Sequence, residues 1–354
     1  MKNFKNIIVY SGIIFLCIAS FAGYVLRNMK SNAATPGAAV IDKSYRINHK
    51  SEAENQKHVD ELMKRALVMH DPNPVVGIGR GEDYEEVTKK AVENAGGLKD
   101  IIHKGDTVLI KPNICTWDKA GAPTITDYRT VQTIANLALQ YGASKVIVAE
   151  GTICGNAFDP ANLRISKYGT LKGVSLLDLN SFGKEDCYEL KPSRSLTGKA
   201  LFIPKIYMDA DVVIDIAKLK THGVTKVSLS LKNAIGVTPG LIYGLGGRMS
   251  SIHSLGIDGA IIDLNRIRKP DFAMIEGIVG GQGEGPLNNT PVKSNVIFAG
   301  KDLVALDTVA ITFMGFTVDQ VPHVQRAVAE QLGISDLTKI KVNGADLKTI
   351  AMRF

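Results

Sequence analysis

The chain has 354 residues, of which 45% are hydrophobic and 22% charged. This is ordinary globular usage and excludes a mostly disordered chain, a collagen and a coiled coil. Of the 42 basic residues, four (Lys2, Lys5, Arg27 and Lys30) fall in the first thirty positions, which hold no acid, so the remainder carries a net charge of only +3. A basic face for nucleic acid is therefore not expected.

Residues 7–26 (IIVYSGIIFLCIASFAGYVL) run for twenty positions without a charge and without a polar stripe. A helix of that length rises about 30 Å, the thickness of a bilayer core. The expectation is a single-pass anchor over residues 1–30 in the cytoplasmic membrane, with the globular part outside the cytoplasm. Ala19, Ala22, Ala33 and Ala34 leave open the alternative of a cleaved signal and a secreted product. Residues 31–72 read as a tether with a short helix. Outside Cys17 there are three cysteines, Cys115, Cys154 and Cys187. An odd number allows at most one internal disulfide, and no Cys-x-x-Cys spacing suggests zinc or a cluster.

From residue 73 onward apolar strands alternate with amphipathic helices. Residues 75–79, 107–111 and 145–150 are predicted strands; 83–95 and 127–141 are predicted helices, closed by Gly96-Gly97 and Gly142. Residues 155–205 are less regular and read as an insertion or peripheral lobe. Strands are then predicted at 211–217, 271–276 and 295–299, and helices at 224–234, 250–267 and 302–314. The pattern predicts an α/β fold, a mostly parallel sheet with helices on both faces.

In such sheets ligands bind beyond the carboxyl ends of the strands. TVLIK ends at Lys111 and leads to Asn113; KVIVAE ends at Glu150; DVVIDIA runs into Lys218, Lys220 and His222; DFAMIE ends at Glu276. Lys218, Lys220 and His222 are two apart, so an extended chain puts them on one face. Two ammonium groups beside an imidazole suit a phosphate or carboxylate, and their repulsion makes one of them a better base. The segment 277–286 (GIVGGQGEGP) holds five glycines in ten residues. It reads either as a backbone cradle for an anion or as a flexible turn, flanked by Glu276 and Glu284. Asp307 falls on the inward phase of helix 302–314 and needs a partner, a strand-end lysine or the backbone. Asp302 and Asp127 are the natural caps of their helices. His253 and Asp258 are five apart, which is poor spacing for a shared metal. Cys115 reads most simply as a packed thiol.

The blocks VLIKPNIC (108–115), Thr126-Asp127, YGASKVIVAEG (141–151), DADVVIDIAKLKTHGVTKVSLSLKNAIGVTPG (209–240), IEGIVGGQGEGP (275–286) and AGKDLVALDTVA (299–310) resemble the domain-of-unknown-function 362 family. The resemblance places Lys111, Asn113, Lys218, Lys220, His222, Lys232, Asn233, Glu276 and Asp307 on recurring motifs. Many of these relatives carry an added ferredoxin-type segment; this chain has no such cysteine run.

Three readings stay open. The first is an anchored enzyme that binds a small anionic ligand through Lys111, Asn113, Lys218, Lys232, Asn233 and Asp307. In it His222 or Lys220 is the base, and Glu276 is the acid or a metal ligand. The second is a non-catalytic binding or assembly protein at the membrane. The third is a redox protein served by an external iron–sulfur partner. No cofactor and no protein partner is specified by the sequence.

Overall fold

The structure is a computed structural model that describes residues 57, 59–61 and 71–354. The apolar segment 7–26 and the tether up to residue 56 lie outside the described residues. Among the described residues no helix is long and apolar enough to cross a membrane.

The strands are β1 (Val75–Arg80), β2 (Thr107–Pro112), β3 (Lys145–Glu150), β4 (Ser175–Asp178), β5 (Cys187–Leu190), β6 (Leu201–Pro204), β7 (Val212–His222), β8 (Lys226–Ser228), β9 (Phe272–Glu284), β10 (Asn288–Gly300) and β11 (Lys341–Asn343). They form a nine-stranded sheet in the order β11-β1-β10-β9-β7-β2-β3-β4, with β8 paired to β7, and a separate β5–β6 hairpin. The strands β2, β3, β4, β7 and β9 pair in parallel, while β10 runs against both β9 and β1. The α/β expectation of a mostly parallel sheet holds.

The longer helices are α1 (Tyr84–Asn94), α2 (Tyr128–Gln140), α3 (Ser230–Asn233), α4 (Ile257–Ile267), α5 (Leu303–Phe313) and α6 (Pro322–Ala329), the short α3 being labelled for what it carries. Asp127 and Asp302 cap α2 and α5 by accepting a first-turn amide, as the sequence predicts, and Asp83, read as the first helical residue, caps α1 in the same way. Alternate strand residues feed two cores. Val108, Ile110, Ile214 and Met274 pack with Val87 and Ala91 of α1 and Val131 and Ile134 of α2. Leu109, Val213, Ile275 and Phe298 pack with residues of α4, α5 and α6. Burial on both faces explains why the strands read as continuous apolar runs.

Four expectations are corrected. Residues 224–234 are not one helix: the chain turns into β8 and forms only the short α3, because β7 extends to His222 and β8 folds back along it. Residues 250–256 form turns and a single turn of 3-10 helix (His253–Leu255), and α-helix begins only at Ile257, after Gly256 at φ 88°. The insertion 155–205 is not wholly peripheral, since β4 joins the main sheet beside β3. The glycine-rich 277–286 is not a surface turn; most of it is the second half of β9, paired with β10. Its glycines serve close approach: a Cβ on Gly277 would stand 2.6 Å from Leu219 of β7, and one on Gly281 2.8 Å from the Pro123 carbonyl.

Candidate functional site

Four strand ends converge, but on two faces of the sheet. Register pairs Lys111 with Asp215 and Lys218 with Glu276. Lys111 continues the Leu109 phase, toward the core of α4 to α6. Lys218 and Glu276 continue the Ile216 and Met274 phases, toward α1 and α2.

The α1/α2 side holds a closed ion pair. Lys218 Nζ donates to Glu276 Oε2 at 2.5 Å, and both side chains are wholly buried. Glu276 also accepts the amides of Asp127 and Ile278. Burial raises its carboxyl above the usual range, opposed by Lys218. Asp127 in turn holds Arg129, whose guanidinium lies 3.7 Å over the Tyr84 ring. Glu276 is sealed beneath the start of α2 in this arrangement. No group of three His, Cys, Asp or Glu side chains among the described residues could hold a metal ion.

The opposite side holds a polar network. Lys111 Nζ donates to Glu150 Oε2 at 2.9 Å and to Asn233 Oδ1 at 3.1 Å. Asn113 Nδ2 donates to the same Asn233 oxygen at 2.8 Å, and Asn233 Nδ2 donates to Asp215 Oδ1 at 2.6 Å. Burial pushes the Asp215 carboxyl well above its ordinary range, opposed by the charge of Lys111 and the hydrogen bond from Asn233. Glu150 accepts the amides of Gly151 and Ile114. Gly236 closes this pair off: a Cβ there would clash with the Glu150 carboxylate and stand 2.9 Å from Lys111 Nζ.

Lys220 links the network onward. Its buried Nζ donates to Asn113 Oδ1 at 2.9 Å, the Thr124 carbonyl at 2.6 Å and Cys115 Sγ at 3.1 Å. None of these acceptors is a carboxylate. The expectation that Cys115 is only a packing thiol therefore misses a polar contact. Cys115, Cys154 and Cys187 form no disulfide.

Lys232 stands at the centre of what remains. Its neighbours on α3 are all fixed. Asp307 accepts the Ser230 amide at 2.9 Å, the Ser230 hydroxyl at 2.6 Å and the Leu231 amide at 3.1 Å. Asn233 is held as described above. Lys232 itself is half-buried and makes no hydrogen bond or ion pair among the described residues. Burial, then the charges of Lys220 and Lys111, lowers its ammonium to about 8; only Cys115 opposes them. Its charge is felt by three histidines. His222 is pushed far down by burial and by Lys232 and Lys220. Burial and Lys232 take His253 to about 4 and His323 to about 3. His222 Nδ1 accepts the amides of Val224 and Thr225, so its neutral ring carries the proton on Nε2.

Of the two partners expected for Asp307, the structure shows the backbone and not a lysine. The carboxylate binds the first amides and the serine hydroxyl of α3, and burial raises it to about 7. It thereby positions the short helix that carries Lys232 and Asn233. Lys111, Asn113, Lys220 and Asn233 are brought into one network, with His222 and Lys232 in its electrostatic field. Lys218 and Glu276 are not part of it. Sequence reasoning singled out Glu150 as a strand-end residue and weighed His253 only as a metal ligand, but missed Asp215 and His323 altogether. A charged residue inside the apolar run DVVIDIA is a signal for Asp215; His323, at the start of α6, gives none.

A mostly parallel α/β sheet with polar side chains at its strand ends defines a broad structural class. Within that class, the family profile described as Domain of unknown function (DUF362) matches residues 108–312, more than half of the chain, and the chain belongs to that family. It is similar to the Thylakoid-associated protein sll1697 of Synechocystis sp., 26% identical over 269 residues, or 73% of this chain and 80% of that protein. Among solved structures it is similar to a lactate racemase apoprotein from Thermoanaerobacterium thermosaccharolyticum (16% identity, TM-score 0.43, 69% of this chain). A Thermotoga maritima structural-genomics protein matches at 13% identity and TM-score 0.38, over 72% of this chain. The chain spans 59% of each of these two structures.

Proposed function

We propose that the protein binds a small anionic ligand at the carboxyl ends of β2 and β7, against Lys232, Lys220 and His222, and acts on it by acid–base chemistry. One observation carries this reading. Lys111 and Lys218 each have a carboxylate, whereas Lys220 and Lys232 have none. Unmatched positive charge at a half-open position is costly in the empty protein and is relieved by an anion. An amine lowered to about 8 supports proton transfer by Lys232 near neutral pH, while the His222 ring, held neutral, can contribute a hydrogen bond from Nε2 rather than act as the base.

Residues 7–26 anchor the protein to the membrane in this reading. Their length and lack of charge support it, and the thylakoid association in the name of the Synechocystis relative is in keeping with it. Deleting residues 1–30 is expected to move the protein from the membrane fraction to the soluble fraction; retention in the membrane would remove the anchor.

The site is tested by thermal stabilisation of the full chain in detergent, with inorganic phosphate and with propionate. At least one anion should raise the melting temperature, and Lys232→Ala and His222→Ala should each abolish the shift while staying folded. An undiminished shift in both variants would place the anion elsewhere.

A further inference from the structure

The geometry points to a specific use of Lys232, resting on the anion site just proposed. We propose that Lys232 is a nucleophilic amine that condenses with the carbonyl carbon of a small oxo acid, its carboxylate held by the surrounding cations. The reason lies in how α3 is built. Ser230 and Leu231 are tied to Asp307, and Asn233 to Lys111, Asn113 and Asp215. The side chain between them is left unbonded on a fixed piece of backbone. A lysine needed for packing or charge balance would be paired, as Lys111 and Lys218 are. An unpaired amine beside other cations is the arrangement that yields a neutral, reactive lysine near neutral pH. Burial and neighbouring Lys220 act in that direction here.

The step balances without an oxidant. The Nζ lone pair attacks the carbonyl carbon, and a C–N bond forms as the C=O π pair moves to oxygen. That oxygen takes the proton that the attacking nitrogen, now a substituted ammonium, releases; the neutral His222 ring, whose Nδ1 accepts two backbone amides, can offer its Nε2–H only as a hydrogen bond. The resulting hydroxyl is protonated from solvent and leaves as water while the nitrogen lone pair forms C=N, and the second N–H proton returns to solvent to leave the imine. Amine plus carbonyl gives imine plus water. Protonated, the imine carbon acidifies a C–H on the adjoining carbon, which pyruvate has and glyoxylate lacks.

The test is reductive trapping. The full chain is treated with glyoxylate or pyruvate and sodium borohydride, and its peptides are read by mass spectrometry. A reduced adduct is expected on Lys232 at least tenfold above any other lysine. Its rate should rise with pH with a midpoint near 8, below the value of about 10.4 for an ordinary lysine. Lys232→Arg should give no adduct there, yet keep the melting shift produced by propionate. If both oxo acids and propionate shift the melting temperature but Lys232 stays unmodified, the imine is overturned and the anion site stands. If there is neither shift nor adduct, both fall. Adducts spread evenly over surface lysines would also overturn the imine.

Discussion

Lys218 and Lys232 sit near the carboxyl end of the same sheet and meet opposite circumstances. Lys218 is wholly buried, but Glu276 lies 2.5 Å away on the neighbouring strand, and that carboxylate is further held by two amides. Lys232 is half-buried, has no carboxylate, and faces Lys220, Lys111 and three histidines. The first arrangement holds β7 to β9; the second stores unfavourable charge that a ligand can relieve. Position at a strand end does not separate the two roles. Charge balance does.

Breaking the closed pair should have the largest effect. Lys218→Met leaves the Glu276 carboxylate buried without its partner, and a loss of about 3–5 kcal/mol is expected in urea unfolding. A loss below about 1 kcal/mol would show that water reaches Glu276 and that the pair is not sealed.

The charged side can be sharpened through pH. His323 is fully buried, and neither ring nitrogen has a partner among the described residues. Burial and Lys232 lower its folded value to about 3. Between that value and the unfolded value of about 6.5, the unfolded chain binds the extra proton, so stability falls as pH falls through this window. The loss is on the order of 4 kcal/mol by pH 3. His323→Leu should flatten that acid limb and leave stability at pH 8 little changed. Asp307 acts in the other direction. Its folded value is raised to about 7, so stability falls as pH rises from about 4 toward 7, and Asp307→Asn should remove that slope. Because Asn cannot satisfy all three donors of α3, the same variant should also lose about 1–3 kcal/mol. It should weaken anion binding as well, because the backbone that presents Lys232 loosens.

Much of this arrangement is legible in the sequence, for identifiable reasons. Strands buried on both faces leave continuous apolar runs, which is why β2, β3 and β7 and the charged residues ending them can be read directly. The caps at Asp127 and Asp302 follow from local chemistry. What fails is long-range. The helical pattern over 224–234 yields to the pairing of β8 with β7, which no local propensity reports. The glycines of 277–285 look like a turn because their cause, the approach of Leu219 and the Pro123 carbonyl, lies elsewhere in the chain. Spacing correctly places Lys218, Lys220 and His222 along one strand. It cannot tell that Glu276 neutralises the first while the second meets only neutral oxygens and a thiol. The Asp307 position is readable from helical phase; its partner is not, because Ser230 lies 77 residues away.

The most direct measurement of the central claim is the stability of Lys232→Met beside that of Lys218→Met, at pH 7 in ligand-free buffer. A lysine whose ammonium is disfavoured in the folded state costs stability at neutral pH, so its removal should stabilise the protein. The expected gain is on the order of 1 kcal/mol, given the solvent screening at a half-buried amine. The account predicts opposite signs, a rise for Lys232→Met and a large fall for Lys218→Met. If Lys232→Met destabilises the protein as Lys218→Met does, Lys232 is a structural residue with a partner, and the charge imbalance on which the site rests does not exist.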